Sequence, residues 1–93
     1  IDADTALALG LINHAVVHEE LLVKAREIAA KIASRPPQAV RLTKKLLRLG
    51  VHSTLEQGMM QAAAYQSLCH FTDDHMEALN AMFEKRKPLF QGK

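Results

Sequence analysis

Histidine, cysteine and acidic side chains are the groups of this sequence that could bind a metal ion or transfer a proton. His14 and His18 are four residues apart, but they lie in a segment without helical periodicity, where that spacing does not place both rings on one face. His70 and His75 flank two aspartates near a predicted helix start. Zinc needs three or four converging ligands, and no motif supplies them here. We therefore predict no metal site and interpret these histidines as capping or surface residues.

A thiol beside an imidazole, as in Cys69-His70, could indicate a nucleophile with its base. Neighbouring residues of a helix point roughly 100° apart, so these two side chains are not expected to face each other. A single cysteine also excludes an internal disulfide. We interpret Thr72, Asp73 and Asp74 as alternative caps of the last helix. Glu56 is interpreted as part of a capping box. With no glycine-rich phosphate loop and no G-x-S-x-G motif, the sequence predicts no catalytic residue of its own.

Charge is arranged in blocks along the chain, although the net charge is only +2. Residues 28–55 contain no acid, whereas residues 56–84 contain no base. The bases of the first block are Lys31, Arg35, Arg41, Lys44, Lys45 and Arg48. Such a block indicates a solvated helix face, a surface for a partner's charges or a contact with phosphate. No aromatic residue is interleaved with these bases, so we predict no nucleic-acid partner.

The length of 93 residues corresponds to one domain at most. Apolar residues form 48% of the chain and charged residues 24%, a globular balance rather than a disordered one. No apolar run approaches the roughly 18 residues that cross a bilayer, so no membrane partner is predicted. The sequence begins with Ile1 and shows no basic segment of a signal peptide. We expect it to be a portion of a longer protein.

An all-α segment of about five helices, with one strand-like stretch, is predicted from the periodicity. Asp2 caps the first helix, and Gly10 follows its end. Residues 12–17 are apolar and β-branched, but a lone strand has no partner in this chain and would need a sheet elsewhere. The helices are expected near residues 3–9, 19–34, 36–49, 53–71 and 74–87.

The last two helices carry the most specific end signals. Ser53 and Glu56 have the spacing of a capping box at the start of the fourth helix. That helix is apolar over much of its circumference, which is typical of burial on two sides. In the fifth helix we expect Phe83 to face inward, residues 85–87 to form the final turn and Pro88 to prevent continuation.

Four collinear segments resemble the C-terminal part of the crotonase superfamily, the enoyl-CoA hydratase/isomerase family. The most specific is the last, with T-D-D-H-M-E-A followed by A-M-F-E-K-R-K-P-L-F-Q-G. It departs from the family pattern at Met82, where phenylalanine is usual, and at Ala78, where glycine is common. The segments are Ala6–Val16, Leu21–Ala33, Pro36–Lys44 and Thr72–Gly92.

The resemblance implies a spiral of ββα units followed by a helical region that mediates trimer formation. Residues 1–18 would be the last piece of the spiral domain, and residues 19–93 the helical oligomerisation region. The family's oxyanion hole and acid/base carboxylates lie in the spiral, outside this sequence. Lys85, in the E-K-R motif, would approach the phosphates of coenzyme A (CoA) of a neighbouring subunit, or its charge would serve the C-terminus of the last helix, and the two roles are compatible. No cofactor is implied, since acyl-CoA is the substrate of the parent, which would assemble as a trimer or hexamer.

Two other hypotheses are compatible with the residues. The chain could be a stand-alone helical module whose apolar helices bind another protein, without catalytic activity. Nucleic-acid binding through the basic block of residues 28–55 is the weakest hypothesis, because no aromatic residue is interleaved with these bases. The resemblance favours neither of these two. It favours an acyl-CoA enzyme that adds water to an enoyl thioester or shifts its double bond.

Overall fold

Five α-helices and no strand form the structure, a computed structural model that describes residues 1–93. The all-α prediction is therefore confirmed. Residues 12–17 are irregular, and the strand considered for them does not form, because no second extended segment is present to pair with it. None of the helices is both long and apolar enough to cross a lipid bilayer. The helices are α1 (Ala3–Ala8), α2 (Leu21–Ala33), α3 (Pro37–Gly50), α4 (Leu55–His70) and α5 (Asp73–Phe83), with a 3-10 turn at His18–Glu20 before α2.

The chain divides into two compact units, residues 1–31 and residues 32–93. In the first unit, the Asp2 carboxylate accepts the N–H of Thr5 at 2.8 Å and caps α1 as predicted. Gly10 follows the end of α1 with φ +71°, the left-handed conformation that glycine adopts at little cost. The predicted domain boundary after residue 18 concerns a longer protein and stays a prediction.

In the second unit α3 packs against α4, and α4 packs against α5. Pro37 occupies the first position of α3, where its missing N–H leaves no helical hydrogen bond unmade. Only Asp74 and Ala81 are fully buried, so this unit has very little apolar core. Its exposed large apolar side chains are Ile32, Leu47, Leu49, Val51, Leu55, Met59, Met60, Leu68, Phe71, Met76, Met82, Phe83 and Leu89.

The capping box of α4 lies one residue later than the sequence predicted. Thr54, not Ser53, accepts the N–H of Gln57 at 3.2 Å, and the Gln57 side chain accepts the N–H of Thr54 at 3.1 Å. The Ser53 hydroxyl instead donates to the carbonyl of Leu49 at 2.8 Å. Ser53 therefore completes the end of α3, and the assignment of Glu56 to the box was wrong.

Helix α5 ends at Phe83, four residues before the predicted end at Lys87. The N–H of Arg86 donates to the carbonyl of Ala81 at 3.0 Å, and Lys85 adopts a left-handed conformation. This pattern is the Schellman motif, which terminates a helix without proline. Phe83 is 76% exposed, so the expectation that it faces inward was wrong for these 93 residues.

Candidate functional site

Lys85 has a backbone conformation that is unusual for a lysine. Its φ is +54°, and the other residues with positive φ are glycines, Gly10 and Gly92. Gly10 occupies the corresponding position at the end of α1, where the N–H of Leu11 donates to the carbonyl of Ala6 at 2.9 Å. A residue with a Cβ atom pays about 1 kcal/mol for this conformation. Glycine would therefore be the more stable choice at position 85.

Arg86, the next residue, binds two carboxylates. Its guanidinium donates to the two oxygens of Glu77 at 2.6 and 2.9 Å, and its Nε donates to Glu84 at 2.5 Å. Pairing through two parallel N–H groups is the strong geometry for arginine and carboxylate. The exposed ammonium of Lys85 forms no ion pair in the structure. Glu77 and Glu84 are therefore both bound to Arg86, and the charge of Lys85 is left unpaired.

Residues 87–93, which we call the C-terminal tail, return along α5 and are bound by two of its carboxylates. Glu77 accepts the N–H of Leu89 at 2.7 Å. Asp74, only 2% exposed, accepts the N–H groups of Gln91 and Gly92 at 2.7 and 2.8 Å. Residues three apart lie on the same side of a helix, which places both carboxylates beside the tail. The backbone on the C-terminal side of Lys85 is thus attached to α5.

The charge of Glu77 is stabilised by these contacts. Hydrogen bonds from Arg86, and then from the N–H of Leu89, lower the pKa of Glu77 from 4.5 to about 2. The same pairing raises the pKa of Arg86 above its ordinary value. Because folding lowers the pKa of this acid, Glu77 stabilises the folded state fully above pH 4.5, and this contribution disappears as the pH falls toward about 2.

We expect the attachment of the tail to weaken in acid through Glu77. Between about pH 5 and pH 2.5, the hydrogen-exchange protection factor of the Leu89 amide should fall, as measured by NMR. In the Glu77→Gln variant, protection should be lower at neutral pH and change less over the same range. A Leu89 protection factor that stays constant down to pH 2.5 in the unmodified protein would contradict the assignment.

A second cluster of polar side chains lines a groove of about 370 Å³ along α3, α4 and α5. Cys69, His70 and His75 all border it, with the two imidazole rings 4.7 Å apart. Gln66 lies 3.2 Å from the Nε2 atom of His70. The half-buried thiol of Cys69 makes no hydrogen bond to either imidazole. No group of three histidine, cysteine, aspartate or glutamate side chains converges as metal ligands would.

The basic side chains of α3 are exposed and do not converge on a cavity. Arg41, Lys44 and Arg48 are solvent-accessible, and none forms an ion pair within 4 Å. Lys45 lies over the ring of Tyr65, with its ammonium 5.8 Å from the ring centre, a cation–π contact between α3 and α4. This arrangement fits the interpretation of a solvated helix face for these four residues.

The network around Lys85 was only partly visible in the sequence. Of the alternative caps predicted for α5, Thr72 is the one that forms, by accepting the N–H of His75. Asp74 binds the tail instead. Glu77 and Arg86 both lie in the last segment quoted above, but their separation of nine residues follows no helical or strand rule. No signal in the pattern predicted their pairing.

Comparison with known proteins places the chain in a family. The family model described as enoyl-CoA hydratase/isomerase matches residues 1–93. The chain is 39% identical, over its whole length, to a crotonyl-CoA hydratase of Syntrophomonas wolfei, of which it covers 36%. It is 35% identical over 92 residues to a mitochondrial Delta(3,5)-Delta(2,4)-dienoyl-CoA isomerase of Dictyostelium discoideum, of which it covers 31%.

Solved structures agree with this result. A crystal structure of an enoyl-CoA hydratase from Bacillus anthracis matches the whole chain with a TM-score of 0.96 at 38% identity, and the chain covers 36% of that structure. The chain therefore spans about a third of the length of the relatives it matches. Since the family model extends over all 93 residues, the chain belongs to the enoyl-CoA hydratase/isomerase family.

Proposed function

We propose that the chain is the C-terminal part of an enzyme that acts on enoyl-CoA thioesters, by adding water or by shifting the double bond. Family membership and relatives named as hydratases and an isomerase support this class of reaction. The relatives are about three times longer, so the activity would belong to a longer protein that includes these residues. The 93 residues would contribute contacts between subunits and part of the CoA-binding site.

The catalytic groups are proposed to lie outside this chain. The reaction needs N–H donors that stabilise an enolate-like thioester and a carboxylate that transfers a proton. Five of the ten acids of residues 1–93 already accept hydrogen bonds within the chain, and these are Asp2, Glu27, Asp74, Glu77 and Glu84. Acyl-CoA would be the substrate, with no separate cofactor.

The CoA-binding part rests on Lys85, which lies in the E-K-R motif and whose ammonium is unpaired. A lysine ammonium is a compact charge suited to phosphate, and CoA is rich in phosphate groups. Arg86 already binds two carboxylates, whereas Lys85 has no ion-pair partner among the described residues. Lys85 is therefore the proposed contact of this chain with the CoA phosphates.

The contribution to subunit contacts is supported by the exposed apolar side chains of α4 and α5. Phe71 is 90% exposed and Leu55 is 83% exposed. Large apolar patches of this kind are typical of interaction surfaces rather than of isolated monomers. The alternative, a helical interaction module without catalysis, rests on the same surface.

Activity and CoA affinity of the full-length protein separate the two proposals. We expect hydration or isomerisation of crotonyl-CoA, and CoA binding that Lys85→Met weakens about tenfold in calorimetry, as for the loss of one charged hydrogen bond. Lys87→Met removes the same charge two residues away and should leave the affinity within twofold. A protein that neither turns over enoyl-CoA nor binds CoA would favour the interaction module.

A further inference from the structure

The backbone conformation of Lys85 is one in which glycine would be more stable, so local stability does not explain the lysine. At the matching position after α1 the chain has Gly10, which takes a positive φ without a steric penalty. Position 85 has the same motif and nearly the same φ but carries a long side chain. A residue kept in a disfavoured conformation needs surrounding contacts that hold it there. The left-handed conformation of Lys85 at the end of α5 must therefore be held by contacts of the residues around it.

Those surrounding contacts come from Glu77 and Arg86. The pairing of Arg86 with Glu77 crosses from the residue after Lys85 to the middle of α5, and Glu77 also binds the N–H of Leu89. The backbone is thus held on both sides of position 85, by α5 before it and by the Arg86 and Leu89 attachments after it. The left-handed turn at Lys85 lies between these fixed points.

The same pairing also decides which acids are available to Lys85. Glu84 is its immediate neighbour, but the Glu84 carboxylate accepts from Arg86 Nε. Glu77 accepts two N–H groups from Arg86. If Arg86 were absent, the carboxylate of the adjacent Glu84 would lose its partner and attract the Lys85 ammonium, and a phosphate would have to compete with it.

We propose that Arg86 and Glu77 are positioning residues for Lys85: they hold its left-handed turn and keep its ammonium unpaired, so that it is free to bind the phosphates of CoA. This inference rests on the proposed role of Lys85 in CoA binding. It goes further in stating that Arg86 and Glu77 affect the affinity for CoA without contacting the ligand, by acting on Lys85.

A double-mutant cycle in the full-length protein tests the inference, with CoA affinity measured by calorimetry. Glu77→Gln keeps an acceptor for the N–H of Leu89 but loses the charge that binds Arg86, so it tests how the turn at Lys85 is held. We expect it to weaken CoA binding about threefold when Lys85 is present and to have no further effect in the Lys85→Met background. Asp73→Asn, an exposed acid of the same helix, is the matched control and should leave affinity unchanged.

The outcomes distinguish this inference from the proposal on which it depends. If Lys85→Met leaves CoA affinity unchanged, both the CoA contact and its positioning are overturned. If Lys85→Met weakens binding but Glu77→Gln does not, or weakens it equally in both backgrounds, the contact stands and the positioning role is overturned. Turnover of crotonyl-pantetheine, which lacks the CoA phosphates, should be insensitive to Glu77→Gln, and a matching loss there would also overturn the role.

A glycine at position 85 gives a second readout that does not depend on the folding of the Glu77 variant. Lys85→Gly removes the ammonium and relieves the backbone, so we expect a higher melting temperature together with the same loss of CoA affinity as Lys85→Met. A lower melting temperature would show that the lysine serves the fold, and it would overturn the argument from conformation.

Discussion

Replacing Asp74 with alanine is expected to detach the C-terminal tail and to lower the free energy of unfolding by about 3 kcal/mol. The carboxylate is almost fully buried and accepts two backbone N–H groups, from Gln91 and Gly92. Alanine would leave both donors without their partner, and each charged hydrogen bond of this kind contributes on the order of 1.5 kcal/mol or more. The measurements are urea denaturation of the full-length protein and hydrogen exchange of the Gln91 and Gly92 amides.

Asp73 provides the matched control, because it is the adjacent acid in the same first turn of α5 but is exposed. Asp73→Ala should cost less than about 1 kcal/mol, the usual effect of a carboxylate near a helix N-terminus. If Asp74→Ala were no worse than Asp73→Ala, or if the Gln91 amide kept its protection, the tail would be attached by something other than this carboxylate.

The isolated 93-residue chain is expected to self-associate at micromolar concentration. The side chains of Phe71 and Phe83 are 90% and 76% exposed, and only two residues of the whole chain are fully buried. Removing a phenylalanine side chain from water contributes about 1.5 kcal/mol or more. Association of these apolar faces therefore removes from water the side chains that the isolated chain leaves exposed. Analytical ultracentrifugation over a range of concentrations measures the effect.

A variant with both phenylalanines replaced tests which surface is responsible. Phe71→Ser with Phe83→Ser should weaken association by roughly a hundredfold, from the loss of about 3 kcal/mol of apolar burial. Asn80→Ser, an exposed polar position on α5, should leave association unchanged. A chain that sediments as a compact monomer at all concentrations would refute the idea that these faces are meant to be covered.

Local patterns in the sequence predicted the helices well because helix formation depends on neighbours within about four residues. Asp2 caps α1 and Gly10 follows it as expected, since a cap requires only the right side chain beside the first free N–H groups. The α4 box shows the limit of this reasoning. Ser53 and Thr54 are both good caps, but the Ser53 hydroxyl donates to the carbonyl of Leu49 at the end of α3, and Thr54 caps α4.

The end of α5 shows the same limit. Lysine has no intrinsic preference for a left-handed turn, so nothing in its side chain indicated that the helix stops before position 85. The structure supplies the reason through the attachment of the following residues, with Arg86 bound to Glu77 and Leu89 also bound to Glu77. The left-handed turn at Lys85 therefore depends on these hydrogen bonds of Glu77 and not on the lysine side chain.

The sequence by itself determined an all-helical chain, its approximate helix ends and its resemblance to one family. Through that resemblance it also indicated Lys85 as a candidate CoA contact. Those properties depend on periodicity, caps and motifs, all of which are formed by residues close together in the sequence. Only the tertiary structure decided that Asp74 is buried by a segment 17 and 18 residues away and that Glu77 and Arg86 meet across nine residues. Such pairings form only after the tail has reversed direction along α5, and the geometry of that reversal is a property of the packed backbone.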